Sequence, residues 1–566
     1  MTVIPDPHKK VPMMFRAQVA GRCQLQRVVK DQDLDVQKWT DEWIDKVYPE
    51  LPELGPNVQS RTYTINWRLI TNSGVDDSII RPVIGARGWA FFPGSGMKGL
   101  FRRTCTKDEA VRYCGKPIKA GDWEPGILRF EGGYPIDTSW TERLVDLIHP
   151  QQGRQVESQT APSSAFAQIS LYKPTLRFAI SSSILLMPEE WETIWQIWER
   201  SIATGIGSRV CAGYGQFVQD DRIPSAKVLY QTHLKGEGQA PKLLDGETGE
   251  FRPNIFRAGV RGHALRIFGG LTDDKTAKTL VETLFGGVSG KGVVGLVGMS
   301  FQESNLDYSS FQKGSPYEQI IYKVEGNLQW VLTRKLNDSS HEDALKKLMS
   351  KLTQFAMIFG GFGKSWRRSD HRKFHEEYYE NDRHKPMIGC HWQWSGTIEL
   401  RRDVQVRKLE NVREFIDQVR QAAIDWMAIQ GVKPSAVVGI ANWRESWHPE
   451  RVQVWGRKAG GRDESEAIHW FHGPYQRAIG PRDVPKTIYE SQLTGKMGKI
   501  GRMWHRMYPW VRLVKDPANP GELKTIATPQ YLELLTIFPD GSPECKEFLK
   551  FLNTNPYGFK QLWGDE

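Results

Sequence analysis

The sequence predicts an α+β fold made of two tandem modules, each running strand, helix, strand, strand, helix, strand. Three observations carry this prediction. Strand-like and amphipathic helical segments recur twice in that order, each copy has a basic helix start, and each copy closes its second helix on a glycine-rich basic loop. The helix starts lie at residues 93–103 and 257–266, and the loops at 205–215 and 360–368.

The segment 61–73 (RTYTINWRLITNS) alternates polar and apolar residues with β-branched content and reads as the first strand. A loop with Gly74, Asp76 and Asp77 follows. Pro93-Gly94-Ser95-Gly96 then opens a helix through Lys98, Arg102 and Arg103, with Ser95 as the expected cap. Further strands are expected at 127–130 and 175–182. Pro188 suits a first helical turn, and Trp191, Ile194, Trp195, Trp198 and Ile202 form one apolar stripe, the mark of a core-facing helix. Gly205 ends that helix, the basic loop follows, and 214–218 closes the module as a strand. This β-α-β-β-α-β order is that of a ferredoxin-like domain.

The second pass begins near Ala226. Residues 228–234, 293–301 and 319–332 are strand-like, and the basic helix start lies between the first two. Ser340 and Asp343 form a capping-box pattern ahead of Leu345, Leu348, Met349, Leu352 and Phe355. Beyond residue 400 a helix is expected over 413–429. Residues 457–462 read as an exposed turn, 496–506 as a basic stretch, and 510–514 and 531–538 as strands. The organisation expected is an N-terminal extension (1–55, with Trp39 and Trp43 on a helix), a first module (56–225), and a second module with an elaborated C-terminal region (226–566).

With 566 residues the chain has room for about three or four domain-sized units. Hydrophobic content of 39% and charged content of 25% are those of a globular protein, and no run reaches the ~18 apolar residues of a membrane span. No signal-peptide core is read at the N-terminus, so no membrane partner and a cytoplasmic location are expected. The six cysteines form no C-x-x-C pair, which indicates neither a disulfide framework nor a zinc site and points to a reducing compartment. A net charge of +10 favours an anionic partner, although it also serves solubility.

A helix N-terminus preceded by glycines presents unpaired N–H groups and a positive dipole end, which suits a phosphate. Ser95, Lys98, Arg102 and Arg103 in the first copy and Arg257, Arg261 and Arg266 in the second are the candidate contacts there. Gly207, Arg209 and Tyr214 in one loop, and Lys364, Arg367 and Arg368 in the other, are the matching contacts downstream. The plain alternative is a solvated helix face with a tight turn; the pairing of two sites per copy favours binding along an RNA or DNA backbone. Neither loop fits the P-loop spacing, because no G-K-[ST] follows at the required distance.

Asp76 and Asp77 follow the first strand. A carboxylate placed there against a phosphodiester would act as general base toward a ribose hydroxyl or hold a divalent ion; aspartates after glycine are also ordinary turn residues. Asp245 is the corresponding loop acid in the second copy. His371 and His375 stand at i, i+4 with no further metal-ligand partner evident, and no Ser or Cys nucleophile signature is present.

These residues resemble the RAMP superfamily, the repeat-associated proteins of CRISPR effector complexes. Residues 93–103 resemble that family's P-G-S-S-x-K-G-x-x-R helix start, and 205–215 its G-x-G-[AS]-[KR]…G-Y-G loop. In the second copy Arg261-Gly262-His263-Ala264-Leu265-Arg266 with Leu284-Phe285-Gly286-Gly287 resembles the R-G-x-x-R…F-G pattern of type III members. The resemblance implies tandem ferredoxin-like (RRM-like) modules in a backbone subunit, as in type III-D-like complexes. Its implied partners are CRISPR guide RNA, target RNA and the other type III effector subunits. Residues 75–80 resemble the stretch around the aspartate that catalytic members carry. Asp76 then takes the place of the residue for target-RNA cleavage, with Mg2+ or another divalent ion bound transiently and the 2′-hydroxyl as internal nucleophile. The alternative is a non-catalytic subunit that grips guide RNA and its neighbours. The second copy departs from the pattern: it lacks the proline-glycine-serine lead, its loop runs into Ser369-Asp370-His371, and Asp245 lies in no recognisable motif.

Overall fold

The computed structural model describes residues 26–27, 35–71, 75–76, 79–80, 82–119, 122–148, 153–158, 166–243, 247–287, 292–311, 318–336, 338–363, 390–461, 463–478, 480, 484–496, 499–517 and 523–565. It is a mixed helix and sheet structure, as an α+β class requires. The chain divides into two compact units. The first comprises Met1–Pro150, Ser163–Lys227 and Leu243–Glu247; the second comprises Gln151–Pro162, Val228–Lys242 and Thr248–Glu566.

In the first unit β1 (Val58–Thr64), α1 (Gly94–Thr104), β2 (Leu128–Pro135), β3 (Thr175–Ser182) and α2 (Pro188–Ile202) follow one another. β3 lies between β1 and β2, antiparallel to both, with Phe178 opposite Arg61 on one side and Gly133 on the other. The bridge between Ile65 and Phe217 sets the segment after α2 beside β1. The first strand is shorter than its sequence pattern suggests. The chain leaves the sheet after Thr64, the Asn66 amide turns to Gln216 O, and a separate short strand forms at Arg68–Leu69.

The apolar stripe of α2 is core, as its spacing predicts. Ile194, Trp195, Trp198 and Ile202 are buried, and the Trp198 ring lies 4.9 Å from Phe178 on β3. A buried aromatic ring removes on the order of 200 Å2 from water, worth about 5 kcal/mol gross before entropy is charged. The expected N-terminal helix is present at Asp35–Ile44, and Trp39 and Trp43 are buried in the core of this unit.

The second unit holds two four-stranded sheets. Its first is built from β4 (Val228–Gln239), α3 (Asn254–Gly269), α4 (Asp274–Phe285), β5 (Val297–Phe311), β6 (Gln319–Leu332), α5 (Ser339–Phe355) and β7 (His391–Trp394), with order β5-β6-β4-β7 and every pairing antiparallel. Helix α5 starts at Ser339 and is capped by Asp338, which accepts the Ser340 amide at 2.8 Å. The expected Ser340–Asp343 capping box gives way to this earlier aspartate, whose extended backbone aims its carboxylate at the first turn. Helix α6 (Asn411–Ile429) packs against α5 and buries Phe415, Val419 and Trp426.

The C-terminal third carries a sheet of its own. β8 (Gln453–Ala459), α7 (Glu466–His472), β9 (Met503–Lys515), β10 (Leu523–Ile537), α8 (Pro543–Leu552) and β11 (Lys560–Trp563) give the order β9-β10-β8-β11, again antiparallel throughout. Of 457–462, read from sequence as an exposed turn, residues 457–459 belong to β8, which lies in the interior of this sheet. Trp447, Trp504, Tyr508, Leu532, Leu534 and Trp563 share one core with α3, α5 and α6, which is why the two sheets form a single compact unit. Among the described residues no helix is long and apolar enough to cross a membrane.

Candidate nucleic-acid interface

Helix α1 begins at Gly94, one residue before the serine expected to cap it. The capping position is taken by Pro93, extended at φ −68° and ψ 142°, and no side chain accepts from the first turn. Ser95 stands exposed inside that turn. The helix start must be glycine because it lies against β2: a Cβ on Gly94 would come 1.9 Å from Phe130 O. Met97 and Phe101 face the core, while Lys98 and Arg103 are exposed. Arg102 is half-buried; its Nη1 donates to Gly115 O at 2.8 Å and its guanidinium lies 5.0 Å from the centre of the Trp123 ring. The Cys114 thiol is held below its usual value by its hydrogen bond with Cys105, with Lys98 and Arg102 adding to the effect against burial. The start of α1 is therefore an uncapped, electropositive end, with exposed Lys98 in the second turn and exposed Arg103 in the last turn of the helix.

The loop 205–215 holds five separate residues at positive φ, Gly205 (φ 96°), Gly207 (79°), Arg209 (58°), Gly213 (91°) and Gly215 (64°), around a short helical turn at Val210–Ala212. It is pinned to the strand segment 68–70, with the Gly215 amide donating to Arg68 O at 2.6 Å and the Ser208 amide to Ile70 O at 2.9 Å. Glycine is required at that seam, since a Cβ on Gly215 would meet Ile206 O at 1.8 Å. Gly207 is exposed and Arg209 half-buried.

Tyr214 is a correction to the expected contacts. It is 1% exposed, its hydroxyl donates to Asp146 Oδ2 at 2.7 Å and its ring lies 4.6 Å from Trp67. It locks the loop from beneath and offers no face to a base.

The same segment leads to Asp76. Thr71 Oγ1 accepts the Val83 amide at 3.0 Å, which clasps the base of the intervening loop. Within it Asp76 pairs with Ile79 and Val75 with Ile80 as a two-residue antiparallel ladder. Asp77 lies outside the described residues, as do Asp245, Lys364, Arg367, Arg368, His371 and His375. The glycine-rich loop and the Asp76 loop thus both hang from residues 68–71.

The second copy turns its basic residues inward. α3 also starts without a side-chain cap. Arg257 is half-buried and donates to Phe285 O. Arg261 is half-buried too, and desolvation pulls its guanidinium below its usual value despite Glu282 and Glu157. Arg266 is wholly buried: its Nε donates to Glu445 Oε2 at 2.8 Å and its cation lies 5.1 Å from the Trp504 ring. A cation with no exposed surface cannot meet a polymer, so Arg266 leaves the set of contacts. The downstream loop keeps left-handed Gly361 (φ 74°) and Gly363 (98°), but Phe362 between them is buried and its carbonyl accepts Trp392 Nε1 at 2.8 Å.

A feature the sequence reading missed is the hairpin Gly115–Lys119 with Asp122–Pro125, which carries Ile118 and Trp123 at 61% and 57% exposure. The Gly121-Asp122 pair was its only signal in the sequence. Among the described residues no group of three or more His, Cys, Asp or Glu gathers to hold a metal ion.

No protein-family model matches the chain, and no curated protein matches it. Two solved structures show limited likeness. One is a chain of the cryo-EM structure of the Type III-B Cmr-beta bound to cognate target RNA. It is 20% identical over 28% of this chain and 58% of its own length, with a TM-score of 0.22. The other is Cmr6 from Pyrococcus furiosus, 13% identical over 30% of this chain and 100% of its own, with a TM-score of 0.17. The chain therefore spans 58% of the length of the first of these.

Proposed function

We propose that the chain is an RNA-gripping backbone subunit of a type III CRISPR ribonucleoprotein, built on tandem ferredoxin-like (RRM-like) RAMP modules. One observation carries the reading: in the first unit an uncapped basic helix start is combined with a left-handed glycine loop pinned to residues 68–70. Backbone amides at a helix start bind phosphate oxygens without regard to base, the chemistry a guide RNA of any sequence demands. The RAMP resemblance of residues 93–103 and 205–215 supports the same assignment.

Target-RNA cleavage is placed at the Asp76 loop. There the Asp76 carboxylate takes the proton of a ribose 2′-hydroxyl; that oxygen attacks phosphorus, the P–O5′ bond breaks, and the departing 5′-oxygen takes a proton from water. The products are a 2′,3′-cyclic phosphate and a 5′-hydroxyl end. Dependence on a divalent ion is part of this proposal, with Asp76 as the residue to hold it, and no step is assigned to the ion. The test is Asp76→Asn in the complex reconstituted with guide RNA and its neighbouring subunits. Guide and target binding should persist while cleavage is lost; unchanged cleavage at every position removes the catalytic role.

The inward Arg266 and the half-buried Arg257 and Arg261 favour a second reading for the second copy, a structural module that grips its neighbours and does not cut.

A further inference from the structure

The C-terminal sheet repeats the strand order of the sheet before it, second-third-first-fourth, with a helix after its first strand and another after its third. The equivalence extends to the connector between the second helix and the fourth strand. In the first unit that connector is the loop 205–215, with its five residues at positive φ, and in the second sheet it begins with Gly361 and Gly363. In the C-terminal sheet it is residues 553–558, where Asn555 (φ 56°), Tyr557 (53°) and Gly558 (85°) are left-handed. Two of those three are not glycine. A tyrosine held at positive φ costs on the order of 1 kcal/mol against an extended or helical backbone, and such residues concentrate where a side chain must be aimed.

Tyr557 is aimed outward. It is 62% exposed, and its ring leans on the buried Trp470 at 6.2 Å, which fixes it from behind and leaves it open to solvent. Lys550 in the last turn of α8 and Lys560 at the start of β11 flank the connector, and both are exposed. An exposed aromatic ring backed by a buried one, on a connector flanked in sequence by two exposed lysines, supplies what holds a single-stranded nucleotide: the ring stacks on the base and the cations meet the flanking phosphates.

We propose that residues 453–563 form a third copy of the repeat and that the 553–558 connector is a third contact for single-stranded RNA. Tyr557 stacks on a base, and Lys550 and Lys560 meet the phosphates. This rests on the reading that the chain follows an RNA strand. The probe is a labelled oligouridine long enough to span three repeats, bound to the full chain. Ultraviolet crosslinking followed by peptide mapping should mark the peptide containing Tyr557. Tyr557→Gly should weaken binding by about fivefold or more while leaving the unfolding midpoint unchanged or higher, because it removes the ring and relieves the positive φ. Tyr557→Phe should bind as the parent does. Lys550→Ala/Lys560→Ala should flatten the salt dependence. Parental affinity and salt slope in these variants, with crosslinks confined to the α1 region, would overturn the third contact and leave the proposed function standing. The same holds if the variants lose a protein partner and keep RNA. Failure of the parent chain to bind the probe at all would remove both.

Discussion

The Arg266 guanidinium lies 2.6 Å from the Glu445 carboxylate, and both side chains are wholly buried. Glu445 is also reached by Arg444 at 2.6 Å, so one carboxylate serves two cations. Removing Arg266 leaves Glu445 compensated by Arg444 and forfeits one charge-assisted hydrogen bond. Arg266→Met should therefore lower the unfolding free energy by about 1.5–3 kcal/mol in urea titration. The salt slope of RNA binding should stay as it is. A lowered slope with stability intact would return Arg266 to the interface.

Lys98 in the second turn of α1 and Arg103 in its last turn both stand exposed, so their double replacement by alanine isolates charge from structure. Affinity for single-stranded RNA should fall for all sequences alike. The slope of log K against log salt should flatten by about 1.4 for the two cations, with stability altered by no more than about 0.5 kcal/mol. A loss confined to particular sequences would mean that these residues read bases.

Gly94 and Gly99 sit in one helix and should respond in opposite directions. A Cβ at Gly94 meets the Phe130 carbonyl, whereas nothing lies within 4 Å of a Cβ at Gly99. Gly94→Ala should cost about 1–3 kcal/mol, and Gly99→Ala should gain about 0.5–1 kcal/mol from reduced backbone entropy. Thermal unfolding of the two variants measures both; equal shifts would refute the close seating of α1 on β2.

Glu533 ties the C-terminal sheet to α7. Burial by itself would raise its carboxyl; hydrogen bonds from His505 and Ser465 and the charge of Arg457 outweigh that and hold it at about 2. Its folded value lies below the ordinary glutamate value of about 4.3, so its stabilisation is complete above that pH and is lost as pH falls toward 2. The stability gap between the parent and Glu533→Gln should therefore be constant from neutral pH to about 5 and shrink below it. Urea midpoints across that range would show it, and a gap unchanged down to pH 3 would refute the ion network.

Much of the fold was legible where one rule governed a segment. The α2 stripe, the strand at 175–182 and the helix at Asn411–Ile429 each followed from periodicity, because one face of each meets a core. The third sheet was legible only in part: the strands read at 510–514 and 531–538 fall on β9 and β10, while the rest was hidden for a definite reason. Its strands place Trp504, His505 and Arg506 side by side in the interior, and Arg506 is satisfied by Met357 O at 2.8 Å. Buried charge erases the alternation that marks a strand, so 496–506 read as a basic stretch ahead of the strands. The same failure misplaced Arg266, whose partner Glu445 stands 179 residues away in the chain. Tyr214 was misread because its phenol is satisfied by Asp146, another distant acid. The 205–215 loop, by contrast, was visible because glycine permits both the positive φ angles and the close approach to 68–70.

The indole of Trp447 lies 5.4 Å from Trp504, 5.8 Å from Trp563 and 6.0 Å from Phe538, and it also meets Phe355 at the end of α5 and Phe359 in the turn after it. The second and third sheets are thus soldered through aromatic rings, with no flexible tether setting their separation. A strand of RNA laid along both would meet fixed stations, and its stride between them would be dictated by the thickness of a tryptophan stack.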